Sequence, residues 1–140
     1  MAVLIDAAAD ALRRTTNLHS TTTSSAAGWV YLNATAGSTI HAANGETGYW
    51  LFGVVSGALY LFTNGGDASG SAIVTGRWYH VALTKNGTSM IAYLDGHPDI
   101  IATNASSPST TGVNLGNDNI GWGDYLNGAL IPVDGGYLCK

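Results

Sequence analysis

The chain has 140 residues, of which 46% are hydrophobic and only 10% are charged. An average globular protein has about 25% charged residues. Several amphipathic surface helices would need more charge for their outer faces, and the 19 glycines would destabilise helix interiors. The composition therefore excludes a disordered chain and a helical bundle. It predicts one globular domain over residues 1–140, built from short strands and tight turns.

The charge pattern excludes two classes of partner. The net charge is −4, and the five basic residues are scattered along the chain. Without a basic stripe to follow a phosphate backbone or an anionic surface, neither nucleic acid nor a membrane is an expected partner. The single cysteine, Cys139, cannot form an internal disulfide.

The apolar run at residues 2–5 ends at Asp6 and is too short for a signal-peptide core. At face value this predicts a cytoplasmic protein, or a surface or extracellular one if the chain is exported within a larger assembly. The same run predicts a first strand followed by an irregular segment. The alternative is one or two helical turns in the alanine-rich residues 6–12.

From residue 15 onward, β-branched and aromatic runs alternate with glycine-containing turns, which is typical of a β-sandwich. Ser56-Gly57 and Asn86-Gly87 predict two-residue hairpin turns, the second of type I′. Loops are predicted at 33–38, 44–46 and 64–70. The predicted strands are 28–33, 48–55, 58–63, 71–74, 78–85, 90–95, 99–103, 113–115 and 129–133.

One hairpin carries a family resemblance. The chain reads GRWYHVALT at 76–84, NG at 86–87 and AYLDG at 92–96. This resembles the hallmark hairpin of laminin-G-like and concanavalin-A-like domains, which have a W-x-H-V-A-x-T strand, a polar turn and a Y-x-D-G return strand. The resemblance extends over residues 11–133. It implies an all-β, antiparallel two-sheet jelly-roll sandwich, minimal or truncated in this chain, with Trp29 and Trp78 in its core.

The end of the chain departs from the family pattern. The family usually continues after Asn-Gly with I-D-x-V-R-I-Y, whereas this chain has ALIPVDGGY at 129–137. Ile131 replaces the acidic residue, and Pro132 lacks a backbone donor and belongs on a sheet edge or at a bulge, so the last strand is predicted to be short or marginal. An exposed edge pairs readily with another chain, which makes a self-associating structural protein the second functional hypothesis and a homo-oligomer its expected state.

The sequence lacks the residue patterns expected of a glycosidase or a serine hydrolase. Glycosidases need two carboxylates facing the scissile bond, and the single glutamate, Glu46, has no acidic residue two or four positions away. No Gly-x-Ser-x-Gly elbow is present, and His80 is predicted to be a buried or half-buried, hydrogen-bonded side chain. The leading hypothesis is a non-catalytic binding module for a carbohydrate or a protein surface, with a glycan-active hydrolase as the remote alternative.

Two aromatic positions with polar neighbours are the candidate ligand sites. For each position, the alternative is that the aromatic ring packs in the core or at the rim of the sandwich and binds no ligand. The candidate residues are Trp122 with Asn117, Asn119 and Asp124, and Tyr49 with Trp50.

The glycine-bent, oxygen-rich loop 116–124 is also a candidate calcium site, because Ca²⁺ prefers carboxylate and carbonyl oxygens. Its proposed ligands are Asp118 and Asp124, with Asp67 from another loop. The alternative is turn chemistry, in which Asn and Asp bond their own backbone.

Overall fold

The computed structural model describes residues 2–5, 12–14, 23–36, 38–45, 48–63, 66–103, 110–115, 126 and 128–132. The regular elements in these ranges are all β-strands, and no described segment forms a helix that could span a membrane. In chain order the strands are β1 (Val3–Ile5), β2 (Leu12–Arg14), β3 (Thr23–Leu32), β4 (Ser38–Gly45), β5 (Gly48–Val55), β6 (Ala58–Thr63), β7 (Ala68–Ala72), β8 (Trp78–Asn86), β9 (Ser89–Leu94), β10 (His97–Thr103), β11 (Thr110–Leu115) and β12 (Gly128–Pro132).

The strands form two six-stranded sheets. Sheet A has the order β1-β12-β3-β8-β9-β10, and sheet B has the order β2-β11-β4-β5-β6-β7. Every pairing between neighbouring strands is antiparallel. The predicted antiparallel two-sheet sandwich is therefore confirmed.

Burial alternates along the strands, as expected when one face of each sheet is packed on a core. In β8, Tyr79, Val81 and Leu83 are buried while their neighbours are more exposed. Full burial of such a side chain stabilises the fold by about 1.5–3 kcal/mol. The core cluster between the sheets consists of Val30, Leu32, Ile40, Phe52, Val54, Leu59, Leu61, Ile73, Tyr79, Val81, Leu83, Met90, Ala92, Ile100 and Leu126.

A side-chain clasp joins the two sheets where β10 and β7 meet. The Asp99 carboxylate accepts hydrogen bonds from the Ser71 backbone N–H at 2.9 Å and from the Ser71 hydroxyl at 2.5 Å. Strand β10 at one edge of sheet A is thereby tied to β7 at one edge of sheet B, and the Ser71 N–H is no longer available for pairing with another chain.

Two short or polar strands were not predicted from the sequence. β2 lies in the segment expected to be irregular, and β4 includes Asn44 and Gly45, which were assigned to a loop. Neither run has the alternation of apolar and polar residues that identifies a strand. β4 is held by its neighbours β5 and β11, and β2 is held by β11.

The expectation that the weak last strand leaves an exposed sheet edge was wrong. β12 is short, but it lies between β3 and β1, which pairs with it through Val3 opposite Leu130. The ladder with β1 ends at Leu130, so Pro132 sits beyond it and needs no donor on that side. The basis for self-association through this strand is therefore removed.

Positive φ angles define three hairpin turns. Ser56-Gly57, with φ of 50° and 79°, forms the predicted two-residue turn. The predicted type I′ turn at Asn86-Gly87 was wrong. Asn86 pairs with Ser89, so the turn is Gly87-Thr88, with positive φ at its first position as in type II′. Asp95-Gly96, with φ of 49° and 84°, is the Asp-Gly turn that type I′ geometry favours.

Candidate functional site: an aromatic face on sheet A

Four aromatic side chains lie together on the outer face of sheet A. In β3, Val30 and Leu32 fill the core, so Trp29 and Tyr31 lie on the opposite face. The same alternation in β8 puts Trp78 and His80 on that outer face. The strand register places Trp29 opposite His80 and Tyr31 opposite Trp78. We call these four residues the aromatic patch.

The rings of the aromatic patch support one another across the two strands. Trp29 and His80 meet edge to face, with ring centroids 5.3 Å apart and an interplanar angle of 67°. Tyr31 and Trp78 are 5.5 Å apart at 57°. Such geometries are favourable for aromatic pairs. Each tryptophan therefore has one ring partner that restrains it without removing it from solvent.

The exposure of the two tryptophans corrects the expectation that both lie in the core. Trp29 is 44% exposed and Trp78 is 38% exposed. The physical reason is the alternation of side chains along each strand, since Val30 and Tyr79, which follow the two tryptophans, already occupy the inner face. His80 is half-buried, as predicted. The signal was present in the sequence as W-V-Y-L and W-Y-H-V, each with alternating residues that cannot share a face.

Two shallow, open depressions border the aromatic patch. The first has a volume of about 420 Å³ and is lined by Trp29, His80, Asp95 and Gly96. The second has a volume of about 470 Å³ and is lined by Trp29, Trp78 and Ile131. We call them the Asp95 depression and the Ile131 depression. Trp29 borders both depressions.

Asp95 organises the polar end of this surface. Its carboxylate accepts a hydrogen bond from the His80 backbone N–H at 2.9 Å and pairs with the Arg77 guanidinium at 2.7 Å. Its own N–H donates to the His80 carbonyl at 2.8 Å. The His97 ring nitrogen Nδ1 lies 3.1 Å from the Asp95 carbonyl oxygen. These contacts fix the carboxylate beside the Trp29 and His80 rings.

Arg77 is engaged on two sides. Besides its pair with Asp95, the guanidinium carbon lies 4.2 Å from the centroid of the Tyr79 ring, within cation–π range. The Tyr79 hydroxyl in turn accepts a hydrogen bond from the Val74 backbone N–H at 3.0 Å. The cation is therefore held by the scaffold, although 55% of its side chain remains exposed.

Most of the sites predicted from the sequence lie outside the described residues. This applies to Trp122, Asn117, Asn119, Asp118 and Asp124, which all fall in residues 116–125. Tyr49 and Trp50 belong to β5, where the register pairs Tyr49 with Asn44 and Trp50 with Ala43, but their side chains are outside the description. These candidates stay predictions.

Asp67, the third proposed calcium ligand, is exposed and takes part in local hydrogen bonding. Its carboxylate accepts a long hydrogen bond from the Thr63 N–H at 3.4 Å. Burial of Tyr60, then the negative charge of Asp67 and a hydrogen bond to it, raise the pKa of the Tyr60 hydroxyl. Among the described residues, no three His, Cys, Asp or Glu side chains come together as a metal site. Calcium binding stays a prediction.

The carboxylates in the described ranges are all used by the scaffold. Asp67 contacts Thr63, Asp95 holds His80 and Arg77, and Asp99 clasps Ser71. A retaining or inverting glycosidase needs an acid and a nucleophile or base on either side of the substrate.

A family model described as the concanavalin A-like lectin/glucanases superfamily matches residues 6–133. The chain belongs to this superfamily. Its laminin-G-like, concanavalin A-like β-sandwich is thereby established, as the hairpin motif predicted. No curated protein sequence gives a significant match to the chain.

Solved structures with the concanavalin A-like fold include very different proteins. Domains LG4-5 of the mouse laminin alpha1 chain match with a TM-score of 0.66 at 16% identity, over 95% of this chain and 40% of that one. Domain 4 of AbnA, an extracellular arabinanase from Geobacillus stearothermophilus, in complex with arabinotriose, gives 0.60 at 18% identity, over 80% and 58%.

The carbohydrate-binding module CBM66 from Bacillus subtilis has the same fold, with a TM-score of 0.56 at 14% identity, over 85% of this chain and 75% of that one. The chain thus spans about half of the laminin and arabinanase structures it matches. At these identities the likeness is one of fold.

Proposed function

We propose that this chain is a non-catalytic carbohydrate-recognition module that binds its ligand through the aromatic patch. The observation that carries the proposal is the exposure of Trp29 and Trp78 on one sheet face, where Trp29 lines both depressions. The C–H face of a sugar ring packs well against an exposed indole. Binding sites of this kind combine apolar walls with a few fixed polar groups.

The polar groups stand at one end of the aromatic patch. The Asp95 carboxylate is 40% exposed and lines the same depression as the Trp29 and His80 rings. A carboxylate has about four lone-pair sites, and the scaffold contacts of Asp95 use one at each oxygen. The remaining sites can accept hydrogen bonds from sugar hydroxyls.

Two structural neighbours support a carbohydrate ligand. Domain 4 of the arabinanase is in complex with arabinotriose, and CBM66 is a carbohydrate-binding module. The arabinanase is extracellular, which favours an extracellular role for this module as well. The alternative within the same proposal is a protein surface as the ligand, for which exposed tryptophans are equally suitable anchors.

The proposal is tested by screening the purified protein on a glycan array and measuring the hits by calorimetry. Trp29→Ala and Trp78→Ala are expected to weaken binding by about tenfold or more, since each removes an aromatic contact surface. Ile101→Ala is the matched control, because Ile101 is 76% exposed on the outermost strand β10 and lines neither depression. Equal affinity of all three variants and the wild type would show that the ligand binds elsewhere.

A further inference from the structure

We infer that the ligand is an uncharged, extended oligosaccharide that lies across strands β12, β3 and β8 and fills both depressions around Trp29. This inference rests on the proposed function and adds the ligand's charge and length. It follows from the placement of the two depressions and from the positions of the basic side chains.

The length follows from the strand order. Ile131 in β12 pairs with Trp29 in β3, and Trp29 pairs with His80 in β8. Asp95 follows at the end of β9, the next strand of the sheet. With neighbouring strands about 4.8 Å apart, the row from β12 to β9 spans ~14 Å. A single sugar ring is shorter than this row, so it can occupy one depression only.

The direction of the ligand follows from Trp29. Its ring borders the Asp95 depression and the Ile131 depression, which makes the indole a common wall between two adjacent binding positions. An unbranched chain that runs perpendicular to the strands places successive sugar rings in the two depressions. The sugar in the Ile131 depression contacts Trp78 as well, whereas the sugar in the Asp95 depression contacts the Asp95 carboxylate.

The charge of the ligand follows from the cations. Among the described residues, Arg77 is paired with Asp95, Lys85 is buried on the inner face, and Arg13 and Arg14 belong to β2 in sheet B. The described part of this face therefore offers an acidic sugar no unpaired cation. The Asp95–Arg77 pair beside the first depression carries no net charge, so it gives sulfate and carboxylate groups no electrostatic attraction. An uncharged ligand is the one that this surface complements.

The decisive experiment compares chain length and charge by calorimetry on the intact protein. The uncharged probes are arabinotriose, xylotriose, cellotriose and maltotriose with their monosaccharides, and the acidic probes are sialyllactose and a heparin tetrasaccharide. We expect at least one trisaccharide to bind about tenfold or more tightly than its monosaccharide, with little change between low and high salt. Trp78→Ala should abolish the tighter binding of the trisaccharide, because Trp78 lines the Ile131 depression and not the Asp95 depression.

Two results would overturn the inference while leaving the proposed function intact. One is tighter binding of an acidic probe that weakens as salt rises. The other is a monosaccharide that binds as tightly as its trisaccharide, with both affinities lowered by Trp29→Ala. If no probe of either class binds, the carbohydrate ligand of the proposed function is excluded, only its protein-surface alternative remains, and the inference fails. If Trp29→Ala and Trp78→Ala bind a probe as tightly as the wild type does, the ligand does not bind at the aromatic patch, and both the proposed site and the inference fail.

Discussion

The Asp95 carboxylate accepts a hydrogen bond from the His80 backbone N–H, and the Asp95 N–H donates to the His80 carbonyl. These two reciprocal bonds close the end of the β8–β9 hairpin beside the aromatic patch. The turn residue thus continues the ladder that the strand residues begin. The Tyr-x-Asp-Gly part of the family motif has a physical role here, because the aspartate both makes the turn and satisfies the backbone of the facing strand.

Substitutions of Asp95 should separate turn geometry from charge. Asp95→Asn keeps an acceptor for the His80 N–H and tolerates positive φ, so it should lose only the exposed pair with Arg77, worth about 0–1 kcal/mol. Asp95→Ala also loses the acceptor and strains the turn, and should cost about 1–3 kcal/mol. Urea unfolding of both variants measures the difference. Equal losses would mean that the ion pair, not the turn, carries the contribution of Asp95.

Because of Lys85, the free energy of unfolding should increase as the pH rises into the alkaline range. Its side chain is only 5% exposed, and burial lowers the pKa of its ammonium group below the ordinary 10.5. Between the folded-state pKa and 10.5, the unfolded chain binds more protons than the folded one, so the free energy of unfolding increases with pH. Below the folded-state pKa, the desolvation cost is present in full.

The measurement for Lys85 is chemical unfolding of the wild type and of Lys85→Met from pH 7 to pH values near 10.5. The wild type should gain stability relative to Lys85→Met over the upper part of this range. Tyr60 has a raised pKa and gives the opposite trend, since its stabilising effect is lost above its folded-state pKa, but it is present in both proteins. A constant difference between the two proteins would contradict the burial of Lys85.

Gly128 should be intolerant of any side chain. It pairs with Leu32 at the start of β12, and a Cβ placed on it would collide with the backbone carbonyl of Tyr31. Gly128→Ala must therefore push β12 away from β3, at a cost of about 1–3 kcal/mol. Thermal unfolding checks this, with the half-buried Ala129→Ser in the same strand as the control. A Gly128→Ala variant as stable as the control would be inconsistent with this register.

Calcium binding at residues 116–124 is tested by thermal unfolding with and without added Ca²⁺. If Asp118 and Asp124 are ligands, Ca²⁺ should stabilise the folded state by mass action and raise Tm. At a Ca²⁺ concentration a hundredfold above Kd, the free energy of unfolding should increase by about 2.7 kcal/mol. Asp118→Asn and Asp124→Asn should each abolish the increase. Asp67→Asn tests the third ligand separately. An unchanged Tm of the wild type in Ca²⁺ would exclude the site.

Much of the fold could be predicted because strong local signals agreed with the tertiary structure. β5 and β6 have dense runs of aromatic and β-branched residues, and a turn with positive φ joins them, so both strands were predicted at their observed bounds. β2 and β4 could not be predicted, since their neighbours in the sheet stabilise them rather than their own residues.

The candidate site was harder to predict because the family resemblance and the strand alternation gave different answers. The resemblance implied that Trp29 and Trp78 lie in the core, while their spacing from Val30 and Tyr79 placed them on the opposite face. The alternation was correct. The contact between Trp29 and His80 depends on the β3–β8 register, which joins residues far apart in sequence. No local pattern contains that information.

The pairing of β1 with β12 has a consequence for how the protein folds during synthesis. Sheet A contains the contact between Val3 and Leu130, which lie 127 positions apart in the sequence (130 minus 3). Contacts of such long sequence separation slow folding. Until residues 128–132 leave the ribosome, the side of β3 that will pair with β12 remains an open edge. A nascent chain is therefore vulnerable to aggregation through this edge until β12 is made.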